Sequence, residues 1–327
     1  MPLRWGLLGT ARINRSLIPA LRASPRHELV AVASRSAEAA QAYARQWEIP
    51  RAVTGYEALL ASGDVDVVYV PLPNSLHAEW TIRALNAGKH VLCEKPLALS
   101  VEEVDAVAAA ARATGRVVAE AFMYRHHPQT RRVKQLVDEG AVGRVRLVRG
   151  AFTFDLTREG DVRLVAALGG GSLWDVGCYP VSYARYLVGE EPAFAFGWQT
   201  LGTTGIDEGF AGQLRFPSGA VAQFDSGFRA AFRTHLEVVG SAGTITVPRP
   251  FKPTPSEAIL LTRGDATEEV AVSGPRELYM GEVDDLADAV QLGRPPAVSL
   301  QDSRGNVAAL AALYQSAREN RPMRVAS

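Results

Sequence analysis

The sequence predicts an α/β protein that combines an N-terminal, doubly wound parallel sheet with a C-terminal α+β domain built on a large, mostly antiparallel open sheet. Two patterns support this prediction. Over about the first 120 residues, short apolar runs alternate with helical segments, as in a parallel sheet with helices on both faces. Beyond about residue 144, longer alternating strands follow one another across turn residues, which is typical of antiparallel pairing.

The N-terminal part contains five predicted strands separated by predicted helices. The last of these helices is marked at both ends, because Ser100 and Glu103 have capping-box spacing and Thr114-Gly115 closes the helix. The predicted strands are 5–9, 28–33, 65–70, 90–93 and 116–121, and the predicted helices are 14–24, 37–47, 77–87 and 100–114.

The C-terminal part begins with a predicted helix near residues 128–139 and then changes to strands. Turn residues such as Pro217-Ser-Gly219 separate these strands. The strands are predicted near 144–154, 193–203, 208–216, 220–228, 233–240 and 243–247, and further helices near 173–188, 276–292 and 300–319. We therefore expect a first domain over residues 1–123 and a second over residues 124–327.

The composition favours a small molecule as the binding partner. Lys plus Arg and Asp plus Glu both total 35 among 327 residues, and no block of like charges predicts binding to nucleic acid or to a membrane. Cys93 and Cys178 lack CxxC spacing, so we expect neither a disulfide framework nor a metal site. With no secretory signal or membrane span in the sequence, a cytoplasmic location is expected.

The turn after the first predicted strand has the features of a dinucleotide-binding (Rossmann) turn. Such a turn brings backbone N–H groups and a helix N-terminus up to a pyrophosphate. The match to GxGxxG is partial, because Ala11 and Asn14 occupy the second and third glycine positions, and the hexapeptide alone equally fits a tight turn in another α/β protein. The expected cofactor contacts here are Gly9, Thr10, Ala11, Arg12 and Ile13.

The end of the second predicted strand indicates which nucleotide is bound. An NAD-specific fold usually carries Asp or Glu there for the ribose 2′-hydroxyl, whereas this chain has Ser34-Arg35. A hydroxyl and a guanidinium suit a 2′-phosphate, so NADP is preferred and NAD is possible. The alternative is that Arg35 is simply a solvated loop residue.

A lysine follows the fourth predicted strand, at the carboxyl edge of the sheet where ligands of open α/β folds bind. In Glu94-Lys95-Pro96, the proline restricts Lys95 to an extended backbone, and a cis bond is possible. Lysine at this edge can orient a reacting hydroxyl and lower its pKa. Taken alone, the tripeptide also fits an ordinary strand end followed by a turn.

Three further segments accompany this tripeptide: Pro73-Asn-Ser-Leu-His77, Glu120-Ala-Phe-Met-Tyr-Arg125 and Gly169-Gly-Gly-Ser-Leu-Trp-Asp-Val-Gly-Cys-Tyr-Pro180. Together they resemble the glucose–fructose oxidoreductase/inositol dehydrogenase (Gfo/Idh/MocA) family, and within it the branch of NADP-dependent D-xylose dehydrogenases and dihydrodiol dehydrogenases. The resemblance extends from the first strand to the closing helices.

The resemblance implies roles for three residues. The family's catalytic lysine falls on Lys95, its substrate-binding aspartate on Asp175, and its acid/base residue on Tyr179. Many relatives carry histidine at this last position, so the tyrosine points to the sugar and diol branch. Taken in isolation, Tyr179 fits an amphipathic core residue better.

General chemistry is consistent with these roles. Asp175 and Tyr179 are four residues apart and share one face of a helix. An alcohol that gives up hydride must also lose its hydroxyl proton, which a phenol accepts when a nearby ammonium such as that of Lys95 lowers the phenol pKa. We expect cofactor contacts also from Pro71, Asn74, His77, Glu94 and Lys95, with plain helix capping as the alternative at 74–77. We expect substrate contacts from Lys95, Arg163, Asp175 and Tyr179.

We therefore expect an NADP(H)-dependent oxidoreductase that transfers hydride between a sugar or cyclic diol hydroxyl or carbonyl and the nicotinamide. The alternatives are a nucleotide-bound sugar–sugar oxidoreductase, another carbonyl or imine reductase, and a non-catalytic nucleotide-sensing regulator. Because the helices cover only one face of the C-terminal sheet, the other face is predicted to form a homodimer or homotetramer.

Overall fold

The computed structural model describes residues 1–158 and 160–326, which form two compact units. The first consists of Met1–His126 and Glu277–Ser303, and the second of His127–Arg276 and the chain from Arg304 onward. The first break lies three residues beyond the expected boundary at 123/124. The segment 277–303 differs from the expectation, because it belongs to the first unit although the sequence pattern assigns it to the second domain.

The first unit contains a parallel sheet with helices between its strands. Its strands are β1 (Leu3–Leu8), β2 (His27–Ser34), β3 (Arg51–Thr54), β4 (Val67–Val70), β5 (His90–Glu94) and β6 (Val118–Ala121). Its helices up to residue 126 are α1 (Asn14–Arg22), α2 (Ala37–Gln46), α3 (Tyr56–Leu60), α4 (His77–Asn86), α5 (Val101–Thr114) and α6 (Met123–His126), with a 3-10 turn at Asn74–Leu76.

The strand order β3-β2-β1-β4-β5-β6 is that of a doubly wound sheet, and every pair is parallel. The predicted N-terminal fold is therefore confirmed. Each predicted strand is present, and β3, α3 and α6 are additional. None of the three could be recognised from periodicity, because β3 and α6 have only four residues and α3 only five.

The second unit contains the larger sheet. Its helices α7 and α8 are Pro128–Asp138 and Cys178–Val188, and Leu173–Gly177 forms a π-helical turn immediately before α8. Its strands are β7 (Val145–Asp155), β8 (Phe194–Leu201), β9 (Asp207–Arg215), β10 (Val221–Gly227), β11 (Arg229–Gly240), β12 (Thr244–Val247), β13 (Ser256–Arg263), β14 (Ala266–Ser273) and β15 (Met323–Arg324). The last two helices of the chain are α9 (Met280–Leu292) and α10 (Leu300–Glu319), and 3-10 turns lie at Val162–Leu164 and Ala166–Leu168.

The nine strands are ordered β14-β13-β12-β11-β7-β10-β9-β8-β15, and only the β7–β10 pair is parallel. The predicted large, mostly antiparallel sheet is thus confirmed. The sequence pattern did not indicate β13 and β14. The outer strand β14 is largely exposed and carries Glu268 and Glu269, so it lacks the apolar alternation that marks a half-buried strand.

Helix α9 accounts for the discontinuous first unit. It packs against α1, α6, β5 and β6. Arg26, just before β2, is 3.4 Å from Asp284 and 2.6 Å from Asp288, both on α9. Because these contacts join residues about 260 positions apart, they have no signature in the local sequence pattern.

Helix α8 approaches the sheet closely at one glycine. A Cβ at Gly150 of β7 would lie 2.7 Å from the Cβ of Pro180, in the first turn of α8. Any larger residue at this position would displace the start of α8. In the described residues, no helix is long and apolar enough to cross a membrane.

Candidate active site

The turn after β1 is shaped by a glycine and an asparagine. Gly9 has φ of +121°, a backbone conformation that residues with a side chain rarely adopt. Asn14 is fully buried, and its Nδ2 donates a 2.9 Å hydrogen bond to the Gly9 carbonyl oxygen. Helix α1 begins at Asn14 and has no side-chain N-cap. The turn therefore joins the carboxyl end of β1 directly to an uncapped helix N-terminus.

Four of the five expected cofactor residues of this turn are accessible, whereas Gly9 is buried. Thr10, Ala11 and Ile13 are partly exposed, and Arg12 is exposed. Asn14 was not among the expected site residues. The sequence marks Asn14 only by its place at the third glycine position of the motif. In the structure, its side-chain amide closes the turn by the hydrogen bond to the Gly9 carbonyl.

The end of β2 lies beside this turn, because Leu8 of β1 pairs with Ala33 of β2. Ser34 is buried and Arg35 is exposed. Ser36 caps α2 by accepting a 3.2 Å hydrogen bond from the backbone N–H of Ala39. A guanidinium and a capped helix N-terminus therefore lie at the same edge of the sheet as the turn.

The ends of β4 and β5 form the next part of this edge, since Val70 pairs with Cys93. Pro71 is buried after β4, and Asn74 begins the 3-10 turn that leads into α4. At the end of β5, Glu94 and the following Lys95 are partly exposed, and the Lys95-Pro96 bond is cis.

Buried polar groups hold the segment around Lys95. The Tyr69 hydroxyl donates to Glu94 Oε1. The buried carboxylate of Glu120 accepts a 2.9 Å hydrogen bond from the backbone N–H of Leu97. Burial raises the pKa of Tyr69 well above its usual value, and the nearby carboxylates raise it further, so its hydroxyl keeps its proton.

The imidazole of His77 is buried within the first unit. The residue is 1% exposed, and both of its ring nitrogens face backbone carbonyls, those of Leu72 and Pro96. The imidazole therefore connects two loops within the first unit through both of its ring nitrogens. The expected contact of His77 with the cofactor stays a prediction.

In the second unit, Asp175 is paired with Arg163. Arg163 Nε donates to Asp175 Oδ2 at 2.6 Å, and Nη1 donates to Asp161 Oδ1 at 3.2 Å. Asp161 also caps the 3-10 turn that carries Arg163. The charge of Asp175 raises the pKa of the Arg163 guanidinium above its ordinary value. Arg163, expected to contact substrate, thus orients the expected substrate carboxylate.

A buried carboxylate anchors the π-helical turn that contains Asp175. Asp207 Oδ2 accepts hydrogen bonds from the Ser172 hydroxyl at 2.7 Å and the Leu173 N–H at 2.8 Å, and Oδ1 accepts one from the Tyr314 hydroxyl. A Cβ at Gly171 would lie 2.2 Å from Asp207 Oδ1. Burial raises the pKa of Asp207, while the three hydrogen bonds lower it. Asp207 is therefore a structural anchor that the sequence pattern did not reveal.

Tyr179 lies in the first turn of α8, directly after the π-helical turn. Its ring packs against Phe152 and Phe251, with centroid distances of 5.5 and 5.6 Å. These contacts agree with the packing interpretation of its ring. Asp175 and Tyr179 are placed by adjoining turns of one unit, whereas Lys95 belongs to the other unit.

Over residues 1–158 and 160–326, no group of three or more His, Cys, Asp or Glu side chains is arranged to hold a metal ion.

Comparison with known families identifies the chain. The model of the oxidoreductase family with an NAD-binding Rossmann fold matches residues 3–122, and the model of the GFO/IDH/MocA C-terminal domain matches residues 130–246. The chain belongs to the Gfo/Idh/MocA family of oxidoreductases. The resemblance inferred from the motifs is confirmed.

Three members of the Gfo/Idh/MocA family are similar over nearly the whole chain. D-xylose 1-dehydrogenase (NADP(+)) 2 of Haloferax volcanii is 39% identical and matches over 96% of this chain and 97% of its own. A 3-ketoreductase from Actinomadura kijaniata, solved with NADP and TDP-benzene, is 35% identical with a TM-score of 0.91, over 97% and 98% of the two chains. An aldose–aldose oxidoreductase from Caulobacter crescentus, complexed with glycerol, is 31% identical with a TM-score of 0.92, over 99% and 100%.

The anchoring role of Asp207 predicts a large effect of D207N on stability. Asparagine keeps one acceptor oxygen and replaces the other with an NH₂ group, so at least one buried donor loses its partner. We expect the free energy of unfolding to fall by about 1–3 kcal/mol, measured by urea denaturation. The control D225N removes an exposed pair with Arg233 and should change stability by less than about 1 kcal/mol. An equal fall in the free energy of unfolding for D207N and D225N would refute the anchoring role of Asp207.

Proposed function

We propose that the protein is an NADP(H)-dependent oxidoreductase that transfers hydride between a ring hydroxyl or carbonyl of a sugar or cyclic diol and the nicotinamide. The observation that carries this proposal is the Arg163–Asp175 pair one turn before Tyr179. It presents an oriented carboxylate that suits a substrate hydroxyl, next to a phenol that suits proton transfer.

The residues at the carboxyl edge of the first sheet fit a dinucleotide. The Gly9 turn leads into an uncapped helix, which suits a pyrophosphate. Positions 34–36 carry no carboxylate that would repel a 2′-phosphate, and Arg35 is exposed beside the turn. The NADP found with relatives of the chain supports the same choice. When bound, the nicotinamide accepts or supplies the hydride.

The remaining chemistry is proton transfer, which we assign to Lys95 and Tyr179. In oxidation, the Tyr179 phenolate oxygen takes the proton of the reacting hydroxyl, and in reduction the phenol returns a proton to the carbonyl oxygen. The Lys95 ammonium favours the phenolate and orients the same oxygen. Asp175 holds a neighbouring hydroxyl. The roles of Lys95 and Tyr179 are part of this proposal and follow the family pattern.

A second candidate is a sugar–sugar oxidoreductase that keeps its nucleotide bound and cycles it between an oxidised and a reduced sugar. The similarity to an aldose–aldose oxidoreductase over 99% of the chain favours this candidate. It differs from the first in one measurable respect, because the nucleotide would copurify with the protein and would not exchange with added NADP⁺. A regulator without activity is less favoured, since it has no use for Lys95, Asp175 and Tyr179.

We also propose a cytoplasmic homodimer or homotetramer that forms through the larger sheet. Cys93 and Cys178 are buried and form no disulfide, which suits a reducing compartment. The sheet face opposite α8 carries Trp198, which is 57% exposed on β8, together with the ion pairs Arg149–Glu237 and Arg233–Asp225. A large exposed aromatic side chain with a polar surround is typical of an interface.

The proposed activity is tested with NADP⁺ and a panel of pentoses, hexoses and cyclic diols, and in reverse with NADPH and the corresponding ketones. Reduced nicotinamide is followed by its near-ultraviolet absorbance. K95A and Y179F should each lower kcat by about 10²- to 10⁴-fold, because each loses a group that handles the proton. K134A, which removes a lysine paired with Asp138 on α7, is the control and should remain active. Wild-type rates in K95A and Y179F would contradict the assignment.

Arg35 is expected to discriminate between the two nucleotides. R35A should raise the Kd for NADP⁺ by about 10- to 100-fold, because a charge-assisted hydrogen bond to the 2′-phosphate is lost, and should leave the Kd for NAD⁺ nearly unchanged. Isothermal titration calorimetry measures both constants. R112A, at an exposed arginine in the last turn of α5, serves as the control. Equal weakening of both nucleotides by R35A would rule out this role.

The assembly is tested by multi-angle light scattering at micromolar concentration. We expect at least twice the mass of one chain for the wild type. W198D should shift the protein toward the monomer, because it places a charge in the proposed interface. R263A, at an exposed arginine on β13 near the edge of the sheet, is the control and should leave the mass unchanged. A monomer mass for the wild type would refute the proposed assembly.

A further inference from the structure

Both ring nitrogens of His77 lie against backbone carbonyl oxygens. Nδ1 is 2.7 Å from the carbonyl oxygen of Pro96, and Nε2 is 2.7 Å from that of Leu72. The residue is 1% exposed, so water does not replace either partner. The two carbonyls follow neighbouring strands, β4 and β5, and one of them comes directly after Lys95.

The number of protons on the ring decides whether both contacts are hydrogen bonds. A neutral imidazole has one N–H and one lone pair, and a carbonyl oxygen only accepts. Either neutral tautomer therefore makes one hydrogen bond and sets a nitrogen lone pair against an oxygen lone pair at 2.7 Å. The imidazolium carries a proton on each ring nitrogen, so it has no tautomers and donates to both carbonyls.

We propose that His77 is a positioning residue that, as the imidazolium, donates hydrogen bonds from both ring nitrogens and thereby ties the loop after β4 to the Lys95-Pro96 segment. Loss of the proton releases one of the two loops. This role goes beyond the proposed function. It rests on that function only in the kinetic test of H77Q, where enzyme activity is measured.

The segment after Lys95 is held from two sides. The carbonyl of Pro96 accepts from His77, and the next backbone N–H, that of Leu97, donates to the buried Glu120 carboxylate. The Pro96 carbonyl and the Leu97 N–H belong to the same peptide group, one residue beyond Lys95. Because buried side chains fix both of these groups, the placement of the Lys95 ammonium depends on both contacts. A displacement of about 1 Å at such a position lowers a rate by up to about 10²-fold.

Opposing influences act on the His77 ring, and their net effect is a pKa below the ordinary value for histidine. Burial is the largest cause and lowers the pKa, the two carbonyls raise it, and the charge of Lys95 lowers it further. The double hydrogen bond is therefore complete below the His77 pKa and is lost as the pH rises through it. By reciprocity, removal of the Lys95 charge favours protonation of His77.

Lys95 is the charged group that acts on this ring. Helix α4 packs against the 3-10 turn, β4, β5 and α5, and several titratable groups of these elements are paired with groups other than His77. These pairs are Glu79 with Arg83, Tyr69 with Glu94, Glu103 with the Leu99 N–H, and Cys93 with Thr81.

The proton count is tested by NMR on protein labelled with ¹⁵N-histidine, from about pH 5 to about pH 8. Two-bond nitrogen–proton correlations distinguish an imidazolium from each neutral tautomer. The chain has six histidines, and the His77 signal is the one lost in H77Q, or the one left after substitution of the other five if H77Q does not fold. We expect both His77 nitrogens to be protonated at the acid end of this range.

The link to Lys95 is tested in the same titration. K95M should move the His77 transition to higher pH, whereas K134M, the control, should not move it. A His77 ring that stays a single neutral tautomer throughout, or an equal shift in K95M and K134M, would overturn the proposal. Neither result depends on enzyme activity, so a failure here is distinct from a failure of the proposed function.

The positioning role is tested by the kinetics of H77Q. A glutamine amide can donate to one of the two carbonyls but not to both. We expect kcat to fall on the order of 10- to 100-fold, KM for the substrate to change by less than about threefold, and the pH dependence of kcat due to His77 to disappear. An H77Q enzyme with the wild-type kcat and pH profile would refute the role.

Discussion

The parallel pairing of β2, β1, β4 and β5 is the constraint on which the first half of the site depends. Parallel strands end at one edge of the sheet, so pairing of Leu8 with Ala33 and of Val70 with Cys93 places four loops side by side. Contacts within each loop could not bring the four loops together, because their residues are up to about 85 positions apart in the sequence. Each loop then needs only local contacts, such as that of Asn14 with Gly9, to take its final shape.

Both units hold their functional segments with buried polar groups. Glu120 and His77 bind backbone groups next to Lys95 in the first unit, and Asp207 binds the start of the turn that carries Asp175 in the second. A buried carboxylate or imidazole is costly to desolvate unless its hydrogen bonds are made, so these groups favour one conformation of the loop over its alternatives. Lys95 and Arg163 remain partly accessible beside these held segments, whereas Tyr179 is buried.

The sequence predicted what depends on periodicity and on motifs. The order of most strands and helices and the Gly9 turn were found in this way, because each stands at a recognisable position in a local pattern. The roles expected of Lys95 and Asp175 follow from the family resemblance and stay predictions. Asp207, Tyr314 and the placement of α9 were not found, because their partners are 34 to 262 residues away and no local pattern marks them. His77 stands in a recognisable motif, but the motif does not show that both ring nitrogens meet carbonyls.

The same residues serve both directions of the proposed reaction. A tyrosine that accepts a proton from an alcohol as phenolate must, by microscopic reversibility, return it to a ketone as phenol. The similarity of this chain to both a dehydrogenase and a 3-ketoreductase is therefore what one catalytic arrangement would produce. The physiological direction then depends on the ratio of oxidised to reduced nucleotide and on pH. In the proposed reaction, substrate choice would depend instead on Asp175 and its partner Arg163, which would orient hydroxyl groups beside the reacting carbon.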